Sequence, residues 1–222
     1  MRLVLMGPPG AGKGTQAQLA AETLGVPKLS TGDMLRAEVK AESDIGKEVA
    51  DCINRGDLVS DELIMSILAK RITKPDCKTG FVLDGLPRTV AQAQALDKVL
   101  SSSDVSLDAI VNLKVAEEDL IKRFTGRRVA LGSGRTYHVE HNPPKVDGKC
   151  DETGEDLVQR QDDKEDVVRH RLNVYREQTA PVVEFYRNQG RLKEIDGMGS
   201  VDEVFADLCT AMGLTAASAQ QA

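Results

Sequence analysis

Short apolar runs alternate along the chain with stretches in which apolar residues return every three or four positions. The runs cover residues 3–6, 27–30, 81–84, 109–115 and 192–196, each bounded by polar or turn residues. Unbroken runs of this length suit strands buried on both faces of a parallel sheet. Between the first two, Ala17, Ala20, Ala21 and Leu24 fall at i, i+3, i+4 and i+7, one face of a helix that Gly25 closes. Ser60, Asp61 and Glu62 read as a helix start, with a capping hydroxyl and acids in the first turn. Val168, Leu172, Tyr175, Val182 and Tyr186 predict a long later helix kinked at Pro181. Strand–helix alternation of this kind predicts an α/β doubly wound fold: a parallel five-stranded sheet with helices on both faces.

Two segments break the rhythm. Residues 30–59 are helical in pattern and weakly apolar. Residues 126–163 are polar and rich in turn formers, among them Gly132-Ser133-Gly134, Pro143-Pro144 and Gly148. Residues 127–130 and 135–138, either side of the Gly-Ser-Gly, could pair as a hairpin. The expected organisation is a core of residues 1–29, 60–125 and 164–222, a small helical arm of 30–59 and an inserted flap of 126–163. There is no internal repeat, and 216–222 reads as a frayed tail.

Composition narrows the function classes. The 222 residues carry a net charge of -6, with four Phe, three Tyr and no Trp. A nucleic-acid reader wants a basic face and stacking rings, so none is expected as a partner. The four cysteines, Cys52, Cys77, Cys150 and Cys209, form no CxxC pair and suit a reducing compartment. No run approaches the ~20 apolar residues of a membrane span, and the first residues are too short for a signal peptide. The expected location is cytoplasmic.

The sharpest chemistry lies between the first run and the first helix: Gly7-Pro8-Pro9-Gly10-Ala11-Gly12-Lys13-Gly14-Thr15. Glycines let successive backbone N–H groups curl around phosphate oxygens, and the following helix presents its positive end. Lys13 reaches the outer phosphates and the Thr15 hydroxyl assists. The bare spacing is a weak signal, and the strand before and helix after give it specificity. The residue after Lys13 is Gly14, where the general P-loop has Ser or Thr, so the hydroxyl arrives one residue late. Asp84 ends an apolar run, where a P-loop protein places an acid for Mg²⁺ or its waters. A water-mediated contact is expected, because Mg²⁺ sheds water reluctantly.

This loop closely resembles that of adenylate kinases, and further segments match that family in order. They are Leu29-Ser30-Thr31-Gly32-Asp33-Met34-Leu35-Arg36, Gly56-Asp57-Leu58-Val59-Ser60-Asp61, and Phe81-Val82-Leu83-Asp84-Gly85-Leu86-Pro87-Arg88-Thr89 with Gln92. Gly126-Arg127-Arg128 and Gln159-Arg160-Gln161-Asp162-Asp163 bracket a lid of the long type, and Arg169-His170-Arg171-Leu172 follows. Leu86 stands where the family has Phe. The resemblance covers nearly the whole chain and implies Mg²⁺-dependent phosphoryl transfer from ATP to AMP, giving two ADP, by direct in-line transfer in a monomer.

It further implies a catalytic set of Lys13, Asp84, Arg88, Arg123, Arg127, Arg160 and Arg171. ATP would meet Gly10, Ala11, Gly12, Lys13, Gly14, Thr15, Arg123, Arg127, Thr136, Tyr137 and Gly199. AMP would meet Thr31, Arg36, Asp57, Leu58, Val59, Gly85, Leu86, Pro87, Arg88, Gln92, Arg160 and Arg171, with Gln92 and Thr31 at the adenine. The resemblance also implies a cis peptide before Pro87. So many cations suit a reaction that brings two phosphate chains together and is catalysed mostly by positioning and charge stabilisation. Arg128, Arg169 and Arg176 read as surface ion-pair residues. Some relatives hold structural zinc in the lid. The matching positions, Ala130, Ser133, Cys150 and Thr153, offer one thiol, so no zinc is expected. The alternatives are a GTP donor, another monophosphate acceptor such as UMP or CMP, and a non-catalytic nucleotide sensor.

Overall fold

A computed structural model describes residues 1–102 and 105–214; the expected tail at 216–222 lies outside them. Five strands, β1 (Arg2–Met6), β2 (Lys28–Ser30), β3 (Phe81–Asp84), β4 (Ala109–Lys114) and β8 (Leu192–Asp196), form one sheet in the order β2-β3-β1-β4-β8. Every neighbouring pair is parallel. Alternate side chains of β1 serve opposite layers. Leu3 and Leu5 pack with Val111 and Leu113 under α1 (Lys13–Leu24), α6 (Glu117–Thr125) and α9 (Val201–Met212). Val4 and Met6 pack with Leu83 and Ile110 under α4 (Asp61–Ile72), α5 (Val90–Ser101) and α8 (Ala180–Asn188). Burying each such side chain contributes about 1.5–3 kcal/mol, and burial on both faces is why the strands read as continuous apolar runs.

The weakly apolar stretch is two helices, α2 (Thr31–Lys40) and α3 (Asp44–Arg55), each opened by a serine hydroxyl that accepts a backbone N–H. Residues 127–158 contain a second sheet. Central β5 (Arg127–Ala130) pairs antiparallel with β6 (Thr136–His138) and β7 (Leu157–Val158). Ala130, Tyr137 and Cys150 form a small apolar cluster there.

The long helix differs from expectation. It runs as α7 (Glu165–Val174), a π-helical turn over Tyr175–Thr179, then α8 with Pro181 in its first turn. Pro181 has no N–H to donate to the Glu177 carbonyl and its ring crowds that oxygen. The wider turn absorbs the mismatch without a break between the helices.

Candidate active site

The phosphate loop leaves β1, the middle strand, at its carboxyl end, where ligands of open parallel sheets gather. Gly7 and Gly10 have φ of 141° and 85°, and a Cβ on them would meet the Leu113 carbonyl at 2.8 Å and the Leu120 carbonyl at 3.0 Å. Only glycine fits there. Gly12 caps α1 without a side-chain bond; its carbonyl accepts the Thr15 and Gln16 N–H groups at 3.1 Å, and the N–H groups that open the helix present its positive end to an anion. Lys13 folds over the loop and donates to the Gly7 and Pro8 carbonyls at 2.7 and 2.8 Å. Burial, with Arg88, Arg171 and Arg127 nearby and Asp84 opposing, lowers its pKa to about 7.

Asp84 pairs in register with Leu5, beside the root of the loop. A Cβ on Gly14 would sit 3.4 Å from its Oδ2, so the late hydroxyl of this loop leaves space in front of the carboxylate. Among the described residues no group of three or more His, Cys, Asp or Glu could hold a metal ion. In the small sheet, the Cys150 thiol lies 3.5 Å from the Tyr137 hydroxyl and 3.7 Å from that of Ser133.

After Asp84 the chain turns through Gly85 and a cis Leu86–Pro87 bond. Arg88 returns its Nε to the Gly85 carbonyl at 2.7 Å. Its N–H donates to Gln92 Oε1 at 2.7 Å, and its carbonyl accepts from Thr179 in the π turn at 2.8 Å. The guanidinium is half-buried, and desolvation pushes its pKa down against the pull of Asp84.

Arg36, Arg127, Arg160 and Arg171 are tied to acids. Arg127 grips Asp163 through two nitrogens. Arg171 donates to the Asp162 carboxylate at 3.1 Å and to its carbonyl at 3.0 Å. Arg36 pairs with Asp33 at 2.7 Å and Arg160 reaches the same oxygen at 3.4 Å. Burial alone would raise the Asp33 carboxyl, but Arg36 and Arg160 outweigh it and hold it below the usual range. Arg127 and Arg171 both lie over the Phe124 ring, 4.4 and 4.7 Å from its centre, a contact that favours cations. Burial lowers the Arg171 pKa to about 10.

A pocket of about 550 Å³, counting space open to solvent at its mouth, lies between α2, α3 and the carboxyl end of β3. Thr31, Arg36, Asp57, Leu58 and Val59 line it from one side, and Gly85, Arg88, Gln92 and Arg171 from the other. Leu86 and Pro87 line the adjoining space that opens towards Lys13. The carboxylate of Asp57 is held by His170 and Arg55 at 2.7 and 2.9 Å.

Arg123, Thr136, Tyr137 and Gly199 line neither this pocket nor the adjoining space. Arg123 donates to the Gly197 carbonyl at 2.8 Å, two residues before Gly199 in the loop that leads to α9. Thr136 lies on the β6 face shared with Arg127 and His138. Tyr137 points into the small sheet, where its hydroxyl accepts the Asp151 N–H at 2.8 Å. Arg169 pairs with Glu165 and Arg176 with Glu117, both exposed, and Arg128 donates to backbone carbonyls.

Phe124 and the acids Asp33, Asp61, Asp162 and Asp163 were not among the site residues expected from the sequence. The adjacent pair Asp162 and Asp163 carried a usable signal, since two buried acids side by side require cations.

The family model described as adenylate kinase matches residues 5–191. Three similar proteins are each named adenylate kinase. That of Thermodesulfovibrio yellowstonii is 51% identical over 209 residues, 94% of this chain and 97% of the relative. That of Moorella thermoacetica is 52% identical over 213 residues, 96% of this chain and 98% of the relative. That of Carboxydothermus hydrogenoformans is 49% identical over 212 residues, 96% and 99%.

Proposed function

Since the chain belongs to the adenylate kinase family, we propose that its phosphate loop holds ATP, its pocket holds AMP, and the cations between them carry the transfer. The reaction is reversible phosphoryl transfer from ATP to AMP, giving two ADP. The observation that carries the assignment of sites is the position of Lys13, Arg88 and Arg171. They line the space that joins the glycine loop to the pocket beyond Gly85.

Each group has a task in this reading. The loop N–H groups and Lys13 bind the donor's phosphates. Arg36, Arg88 and Arg171 receive the AMP phosphate, with Arg127 and Arg160 completing the charge around the transferring group. Gln92 and Thr31 meet the acceptor base. Arg123, Thr136, Tyr137 and Gly199 belong to the donor nucleotide's side. Residues 30–59 act as the acceptor arm and 126–163 as a lid. Closure of both excludes water, which competes with AMP for the phosphoryl group.

Asp84 and the Thr15 hydroxyl suit Mg²⁺ that arrives with the nucleotide and keeps its waters. A lone carboxylate with space before it fits that role better than a protein cage. The ion would neutralise phosphate charge.

No helix among the described residues is long and apolar enough to cross a membrane. Four free cysteines suit the cytoplasm. The glycine loop and the acceptor pocket adjoin through Lys13, Arg88 and Arg171, so the proposed transfer requires no second copy, and we propose a monomer. Sedimentation at the mass of a single 24.0 kDa chain is the expected result, and a dimer mass would remove that inference.

The test of the reaction offers purified protein, Mg²⁺ and ATP with AMP, GMP, UMP or CMP singly. ADP forms with AMP and only marginally with the others. Equal turnover of UMP or CMP would replace the acceptor. ATP hydrolysis at the same rate without any acceptor would overturn direct transfer under a closed lid.

A further inference from the structure

Asp61 is the first residue of α4 and is half-buried against the start of α5. Both its carboxylate oxygens are committed. Oδ1 accepts from Gln92 Nε2 at 2.7 Å and Oδ2 accepts from the Thr89 hydroxyl at 2.9 Å. Thr89 in turn caps α5 by accepting the Gln92 backbone N–H at 3.1 Å. On the other side of the Gln92 amide, Oε1 accepts the Arg88 N–H at 2.7 Å. Gln92 is 3% exposed and lines the pocket that receives the acceptor.

These partners permit one orientation of the amide. A carboxylate only accepts and a backbone N–H only donates. Turning the amide by 180° would set oxygen against oxygen at Asp61 and N–H against N–H at Arg88. Each clash would leave a buried polar group unsatisfied. With one N–H and one lone pair spent on the protein, Gln92 retains one N–H and one lone pair in fixed order. That order matches an adenine edge, whose ring N1 accepts while the 6-amino group donates. A 6-oxopurine reverses it, with N1–H donating and the 6-oxygen accepting, and could pair only with the turned amide.

We infer that Asp61 is a specificity-determining positioning residue, which discriminates adenine from 6-oxopurine monophosphates by locking the Gln92 amide. This rests on the reading that the pocket holds AMP and goes beyond it by naming what enforces the choice of base. Sites whose polar groups are fixed reject the mismatched partner strongly, because the wrong ligand leaves buried groups unpaired.

The test compares native protein with Asp61→Ala and Asp61→Asn, using ATP with AMP or with IMP, whose edge is reversed without an added amino group. Asp61→Ala removes both acceptors. Asp61→Asn keeps the shape but can donate or accept towards Gln92, so it weakens the lock without emptying the site. The AMP-over-IMP ratio of kcat/KM is expected to fall about tenfold in Asp61→Ala and severalfold in Asp61→Asn. KM for AMP rises in Asp61→Ala, and KM for ATP stays within about twofold of native. A role confined to holding α4 against α5 would instead move both nucleotides together and leave the ratio unchanged. An unchanged ratio in both variants overturns the inference, and Asp61→Asn decides alone if Asp61→Ala does not fold. Failure of the native protein to phosphorylate AMP would overturn the reading of the pocket, so the two failures are distinct.

Discussion

Arg88→Ala is expected to lower kcat for ATP and AMP by at least about 10²-fold, with the fold intact. An arginine at a transferring phosphoryl group is worth about 10³–10⁵ in rate, or roughly 4–7 kcal/mol. Arg88 meets the conditions for the upper part of such a range. It is half-buried where the two cavities meet, so charge there acts through a lower dielectric than in bulk water. Its Nε is tethered to Gly85, so the rest of the guanidinium is pre-aimed rather than searching. The backbone is fixed independently by Gln92 and Thr179, so truncation removes the charge without releasing the turn. Removing a half-buried cation that no carboxylate contacts directly also relieves a desolvation cost, so thermal stability should hold or rise. Turnover and a melting curve on the same preparation check this, and near-normal kcat would take Arg88 out of the transfer.

Lys13→Met is expected to lower kcat/KM for ATP by at least about 10²-fold. Met fills the apolar stem's space but cannot balance phosphate charge. The native lysine carries a second consequence. Its pKa in the nucleotide-free protein is lowered to about 7 by burial and by its arginine neighbours. At pH 8 most of these side chains are therefore neutral, and phosphate oxyanions beside the amine raise its pKa again. Binding ATP at pH 8 then takes up a proton, and below pH 6, where Lys13 is already charged, it does not. Calorimetry in buffers of different ionisation enthalpy reads this directly. Lys13→Met should abolish the uptake, and uptake that persists in the variant would assign the proton to another group.

The sheet was legible because strands buried on both faces leave continuous apolar runs, and all five were found within a residue or two. The glycine loop was legible because its spacing answers a local demand of phosphate on backbone. The contacts that organise the pocket were not. Asp61 and Gln92 are 31 residues apart, and only the packing of α4 on α5 brings them together; in sequence Asp61 reads as a first-turn acid. Phe124 packs with Leu120 in the core, yet it also carries Arg127 and Arg171 on its ring, which no local spacing signals. The π turn shifts hydrogen-bond partners by one residue without changing the apolar pattern enough to reveal it. Strand β7 has two residues, too few for any period.

The acids that hold the arginines act as tethered counterions. An unoccupied cluster of guanidinium groups would draw any small anion from solution. Here Asp33, Asp162 and Asp163 already occupy Arg36, Arg160, Arg171 and Arg127, at an effective concentration that no free monovalent ion matches. A single chloride could replace one carboxylate only by leaving that carboxylate unpaired. A ligand that presents several phosphate oxygens engages several arginines in one event. The cluster therefore answers to multivalent anions and is quiet towards simple salt, which makes the chain its own competitive filter.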